Sequence, residues 1–132
     1  MSSWPGDVGA ITMFVEDVTR SKAFYESAFG MRPVFEDDSS VAFRVGSTII
    51  NLLVADEAHD LIAPAPIGLS NDGARFQLTV FSDDVDEACA ELSARGVTLL
   101  NGPTNRDWGM RTAAFADPDG HVWEVAQELP SA

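Results

Sequence analysis

The chain has 132 residues, 45% of them hydrophobic and 22% charged, which suits one soluble globular domain or two small modules sharing a core. Its 21 acidic and 8 basic residues give a net charge of −13, which excludes the basic surface that nucleic acid or an anionic membrane would require. A single cysteine excludes an internal disulfide and a cysteine metal cluster, and no apolar run approaches the ~20 residues that span a bilayer.

The opening Met-Ser-Ser-Trp-Pro-Gly-Asp lacks the basic and apolar regions of a leader, so a cytoplasmic location is expected. Gly9 to Val15 reads as a strand with Ala10, Thr12 and Phe14 on one face and Ile11, Met13 and Val15 on the other. Asp17 is placed to cap a helix over Val18 to Phe29, and Gly30 to end it. Strands are expected at Arg32 to Glu36, Val41 to Val45 and Thr48 to Val54, the last with Asn51 at its centre. Residues 56–74 are rich in Pro, Ala and polar residues and read as a connector with one short helical turn. His59 falls there, where a lone histidine is ordinarily solvated.

The pattern then restarts. Arg75 to Phe81 reads as a strand with Gln77, Thr79 and Phe81 on one face. Asp84-Val-Asp-Glu87 resembles a capping box, and Val85, Ala88, Cys89 and Leu92 form an i, i+3, i+4, i+7 stripe that assigns Cys89 to the core. Gly96 ends this helix, Val97 to Leu100 reads as a strand, and Asn101 to Met110 as a loop. The chain closes with a hairpin, in which Asp117-Pro-Asp-Gly120 is the turn. In the returning strand Val122, Glu124 and Ala126 share one face, and His121, Trp123, Val125 and Gln127 the other. Glu124 is thus a carboxylate within an otherwise apolar face, where burial requires a partner.

The order β-α-β-β-β therefore appears twice, over residues 9–55 and 75–128, within one domain spanning 1–132. The expected fold class is α+β: two paired βαβββ modules with U-shaped mixed sheets. One face of each sheet packs under its helix, with Ile11, Met13, Ile50, Leu52, Phe76, Leu78, Trp123 and Val125 turned inward. The other faces curve around a concave site lined by Ala10, Thr12, Phe14, Asn51, Gln77, Thr79 and Glu124.

Val15-Glu-Asp-Val18, Phe24-Tyr25, Phe29-Gly30-Met31, Asp84-Val85, Ala94-Arg-Gly-Val97, Trp108-Gly-Met-Arg111 and Phe115-Ala-Asp-Pro-Asp-Gly-His-Val-Trp-Glu-Val125 carry a resemblance. With them the chain resembles the vicinal oxygen chelate superfamily of glyoxalase I, bleomycin-resistance proteins and extradiol dioxygenases. The resemblance implies the paired modules, a concave site and a homodimer. In the family's metal enzymes, two histidines and two glutamates bind the ion; the matching positions here are Ala10, Asn51, Gln77 and Glu124. Only Glu124 is a strong ligand, so no metal or other cofactor is expected, although a divalent metal stays open at low weight. His59 and His121 do not substitute, since one lies in the connector and the other points away from Glu124.

The resemblance thus implies a metal-independent binder that sequesters a planar or aromatic small molecule, as antibiotic-sequestering members do. Asn51, Gln77 and Glu124 would read polar groups on the guest. Trp108 would stack on a ring or merely plug a sheet edge. Arg111 would bind the guest or pair with a surface carboxylate, and Glu124 itself could pair with Arg111, Arg44 or Arg75. Two enzymatic alternatives stay open: a metal-dependent lyase, isomerase or dioxygenase, and a metal-free enzyme with Glu124 as general base.

Overall fold

A computed structural model describes residues 6–131 of the chain; most of the amino-terminal segment read above for a leader, residues 1–5, lies outside them. The first unit runs β1 (Ala10–Val15), α1 (Val18–Phe29), β2 (Phe35–Glu36), β3 (Ser40–Val45) and β4 (Thr48–Val54). A short 3-10 turn (Ala55–Glu57) and α2 (His59–Ile62) lead into the connector. The second unit runs β5 (Gln77–Phe81), α3 (Val85–Ala94), β6 (Leu99–Asn105), β7 (Met110–Ala116) and β8 (Val122–Glu128). Each unit forms a four-stranded mixed sheet, in the orders β1-β4-β3-β2 and β5-β8-β7-β6, with its first and last strands parallel. The α+β class and the repeated βαβββ order follow the sequence pattern.

Local chemistry explains the helix boundaries. Asp17 and Asp84 each adopt an extended backbone and accept a hydrogen bond three residues on, from Arg20 N at 3.1 Å and from Glu87 N at 3.0 Å. Gly30 ends α1 in the left-handed conformation at φ 64°.

One hydrophobic core joins the two units. Met13, Tyr25, Phe43 and Leu52 of the first share it with Val85, Cys89, Phe115 and Trp123 of the second. The junction is an aromatic ridge on α1. Tyr25 and Phe29, one helical turn apart, stack with ring centroids 5.9 Å apart. Both meet Trp123 edge-on, at 6.0 and 5.0 Å.

Three strand expectations change. β2 shortens to Phe35–Glu36, because only these residues pair with β3. β5 begins at Gln77, the first residue paired with β8, so Phe76 precedes the sheet and is exposed instead of packing under a helix. The expected loop from Asn101 is instead most of β6, which pairs with β7 through two shifts of register. Gly102 makes that irregular edge possible at φ 85°, where a Cβ would collide with the Thr112 carbonyl oxygen and lie 2.7 Å from Ala113 Cα. Pro103 is tolerated because β6 is an edge strand.

Candidate functional site

Alternation along the strands divides each sheet into a helix face and an open face. On the first sheet Thr12 lies beside Asn51 in register, and Ala10 and Phe14 flank Thr12 along β1. On the second sheet Thr79 lies beside Glu124, with Gln77 and Phe81 on the same face of β5. The helices cover only the opposite faces. Ala10, Thr12, Gln77 and Thr79 are therefore exposed, and the two faces are open in the single chain instead of enclosed. Phe14, Asn51 and Glu124 are half-buried.

Two neutral donors hold the Glu124 carboxylate. Thr79 Oγ1 donates to Oε1 at 2.9 Å, and Gln77 Nε2 approaches Oε2 at 3.4 Å. None of the cationic partners considered for it, Arg44, Arg75 or Arg111, pairs with it among the described residues. The rest of its surroundings are small: Ala114 lies directly across on β7, and Ala126 two residues on. A divalent ion does not fit this donor set. Ala10 offers only a methyl group, Asn51 and Gln77 offer amide oxygens, and Gln77 already turns its nitrogen toward Glu124. Among the described residues, no three His, Cys, Asp or Glu side chains gather as a metal site would require.

Arg111 is not on this face. Its register partner is Gln127, on the helix face of β8, whose side-chain oxygen accepts from Val85 N of α3. The Arg111 guanidinium grips Asp86 of α3 with two bonds of 2.9 Å and reaches Asn105 at 3.0 Å. The hydrogen bond and charge of Asp86 raise Arg111 above its ordinary value, and those of Arg111 lower Asp86. The surface-carboxylate alternative weighed for Arg111 is therefore what the structure holds.

On the Glu124 face of the second sheet the arginine is Arg106, one that sequence reading passed over. Arg106 donates from Nε to Thr112 Oγ1 at 2.9 Å and from Nη2 to Asn101 Oδ1 at 3.2 Å. Thr112 pairs with Ala126, and Asn101 with Ala114, which places both acceptors on the Glu124 face. The signal was parity: Arg106 and Arg111 flank one hairpin tip, and only the pairing of β6 with β7 separates their faces. Trp108 occupies that tip at 69% exposure, so it does not plug a sheet edge. Phe81 stands at 78% exposure on β5.

The Asp-Pro-Asp-Gly turn has a different task. Tyr25 Oη donates to Asp117 Oδ2 at 2.6 Å and accepts from Trp123 Nε1 at 3.0 Å. Asp119 accepts from Ser21 Oγ and from Glu16 N, both at 3.0 Å. His121 Nδ1 lies 2.8 Å from Asp117 Oδ2. The turn carboxylates thus tie the second unit to α1 of the first. Burial and then the Asp117 charge push the Tyr25 hydroxyl far above its ordinary value. Burial is the largest influence on Asp117 and His121 and opposes charge on both. The sum of their mutual hydrogen bond, their mutual attraction, the Tyr25 hydroxyl and His121 N–H bonds to Asp117 and the Asp119 charge near His121 exceeds it, lowering the carboxyl and raising the imidazole. A cleft of about 230 Å³ opens nearby, where the connector crosses the edges of β1 and β5. Thr12 and Phe14 line it with Leu69, Phe76 and His121; Glu124 does not. His59 is exposed on α2, far from any assigned role.

Among the described residues, no helix is long and apolar enough to cross a membrane. Comparison with known proteins places this architecture. The family profile described as Glyoxalase/Bleomycin resistance protein/Dioxygenase superfamily matches residues 7–125. YraH of Bacillus subtilis (strain 168), an uncharacterized protein, is 30% identical over 124 residues, covering 90% of this chain and 96% of YraH. The metallothiol transferase FosB of Lysinibacillus sphaericus (strain C3-41) is 29% identical over 110 residues, covering 83% of this chain and 74% of FosB. A glyoxalase/bleomycin resistance protein/dioxygenase from Nocardioides shares the fold with a TM-score of 0.87 at 19% identity, covering 99% of this chain and 89% of that one. TnmS3, an antibiotic binding protein from Streptomyces sp. CB03234, superposes with a TM-score of 0.73 at 27% identity, covering 96% and 99%. The chain, with its paired βαβββ units and the profile match across nearly all of it, belongs to the glyoxalase/bleomycin resistance protein/dioxygenase superfamily.

Proposed function

We propose that the chain binds and sequesters a small planar or aromatic molecule on its open faces without a metal. The observation that carries this reading is the donor set: a single carboxylate, Glu124, already engaged by Thr79 and Gln77, with a methyl group at Ala10. Such groups recognise donors and acceptors on an organic guest. The exposed rings of Phe81 and Trp108 suit contact with a planar one. The likeness to TnmS3, an antibiotic binding protein, supports the same class of function. A homodimer is the assembly this reading expects, with a second copy covering a face that one chain leaves open.

The test is a calorimetric screen of planar aromatic compounds against chelator-treated protein. Saturable binding is the expected result. Affinity that appears only after zinc or manganese is restored would overturn the reading. That outcome would favour the second reading, a metal-dependent enzyme, for which the 29% identity to the metallothiol transferase FosB is the specific support. Glu124→Gln is expected to weaken the guest roughly ten-fold, the effect of a hydrogen bond to a charged group. Turnover of a guest that ends with this substitution would instead favour Glu124 as a general base.

A further inference from the structure

We propose that Arg106 is an oxyanion anchor, so that the guest on the open face of the second sheet carries a carboxylate or phosphate group. The proposal rests on that face being the binding surface. Three observations carry it. First, Arg106 is tethered by neutral acceptors only, Thr112 and Asn101, and forms none of the ion pairs of the described residues. Arg32, Arg44, Arg75 and Arg95 likewise form none of those ion pairs, so what sets Arg106 apart is its tether to two neutral acceptors on the Glu124 face.

Second, the tether orients the guanidinium without exhausting it. Two of its five N–H groups are used, which leaves three in the planar fork that binds carboxylate or phosphate with two bonds. The two tethers also remove much of the rotational freedom that an exposed arginine would lose on binding.

Third, the space beside it is clear. Glu124, Ala114 and Asn101 form one row across β8, β7 and β6, with only the Ala114 methyl between the outer two. Two strand spacings separate the ends of the row by about 10 Å. Glu124 is thus far enough to receive a donor group of the same guest without repelling an anion at Arg106 strongly.

The protein's overall charge sharpens the test. At −13 the chain repels anions at long range, so a preference for an anionic guest must come from a local cation. Titration calorimetry would compare naphthalene-2-carboxylate, 2-naphthyl phosphate and the uncharged naphthalene-2-carboxamide. At least one anion is expected to bind roughly ten-fold more tightly than the carboxamide. The stronger of the two tells carboxylate from phosphate. Arg106→Gln should abolish the advantage, whereas Arg32→Gln, which removes an equal charge from an exposed position elsewhere, should keep it.

Equal binding of all three probes overturns the anchor and leaves the binding reading standing. So does an anion advantage that survives Arg106→Gln, or one lost equally in Arg32→Gln. Failure of every probe to bind, the carboxamide included, overturns both. If Arg106→Gln does not fold by circular dichroism, Arg106→Lys decides. It keeps the charge and loses the fork, so a reduced advantage supports the anchor and an undiminished one overturns it.

Discussion

At the scale of single residues, the buried polar groups divide into those that hold the fold and those that face outward. Tyr25 belongs to the first group. Its hydroxyl links the Trp123 indole N–H to the Asp117 carboxylate, and all three lie in the core. Tyr25→Phe strands a buried donor and weakens a buried carboxylate, and is expected to lower stability by about 2 kcal/mol, read from denaturant midpoints. His121 supplies a pH signature. Its folded value is raised above 6.5, so its pairing with Asp117 stabilises the fold fully below that pH and ceases to as the pH rises through the folded value. The stability difference between wild type and His121→Asn should accordingly shrink as the pH is raised from below 6.5 through the folded value. A difference that stays constant or grows would show that the imidazole contributes packing alone. Arg111→Gln, acting on the helix face, should leave guest affinity unchanged in the calorimetric screen.

At the scale of elements, the helices were legible and the β6 edge was not. Caps and periodicity are local signals, read within one turn of chain. Asp17, Gly30 and Asp84 carried them plainly. The segment Leu99–Asn105 carries Gly, Pro and Asn, which argue for a loop, yet it pairs as an edge strand through a bulge at Gly102. Tertiary pairing overrode propensity because β7 offered an unpaired edge and Gly102 could approach it closely. Gly102→Ala combines a backbone collision with a left-handed φ and is expected to cost about 3 kcal/mol or more. Gly109→Ala, at φ 84° with open space around it, should cost only about 1 kcal/mol. Comparable losses in the two variants, measured by urea denaturation, would show that β6 does not depend on that close approach.

At the scale of the whole molecule, the two units share a core instead of standing side by side. The α1 aromatic ridge packs on Trp123, and the turn carboxylates reach back to Ser21 and Tyr25. One cooperative unfolding transition is therefore expected, with circular dichroism and tryptophan fluorescence giving the same midpoint. Separate midpoints would mean that the units fold independently.

The chain alone determined the repeat, the helix limits, the hairpin turn and the alternation that sets Glu124 apart from Trp123. These depend on neighbours in sequence, where the period of the backbone dictates direction. It also marked Ala10, Asn51, Gln77 and Glu124 as positions on open faces, because strand parity needs no knowledge of the partner strand. Only the tertiary structure decided that Arg106, not Arg111, shares the face of Glu124, and that Asp117 and Asp119 are buried ties between units. Those facts depend on register between β6 and β7 and on where α1 docks, and register is settled by packing across the sheet, which no stretch of sequence contains.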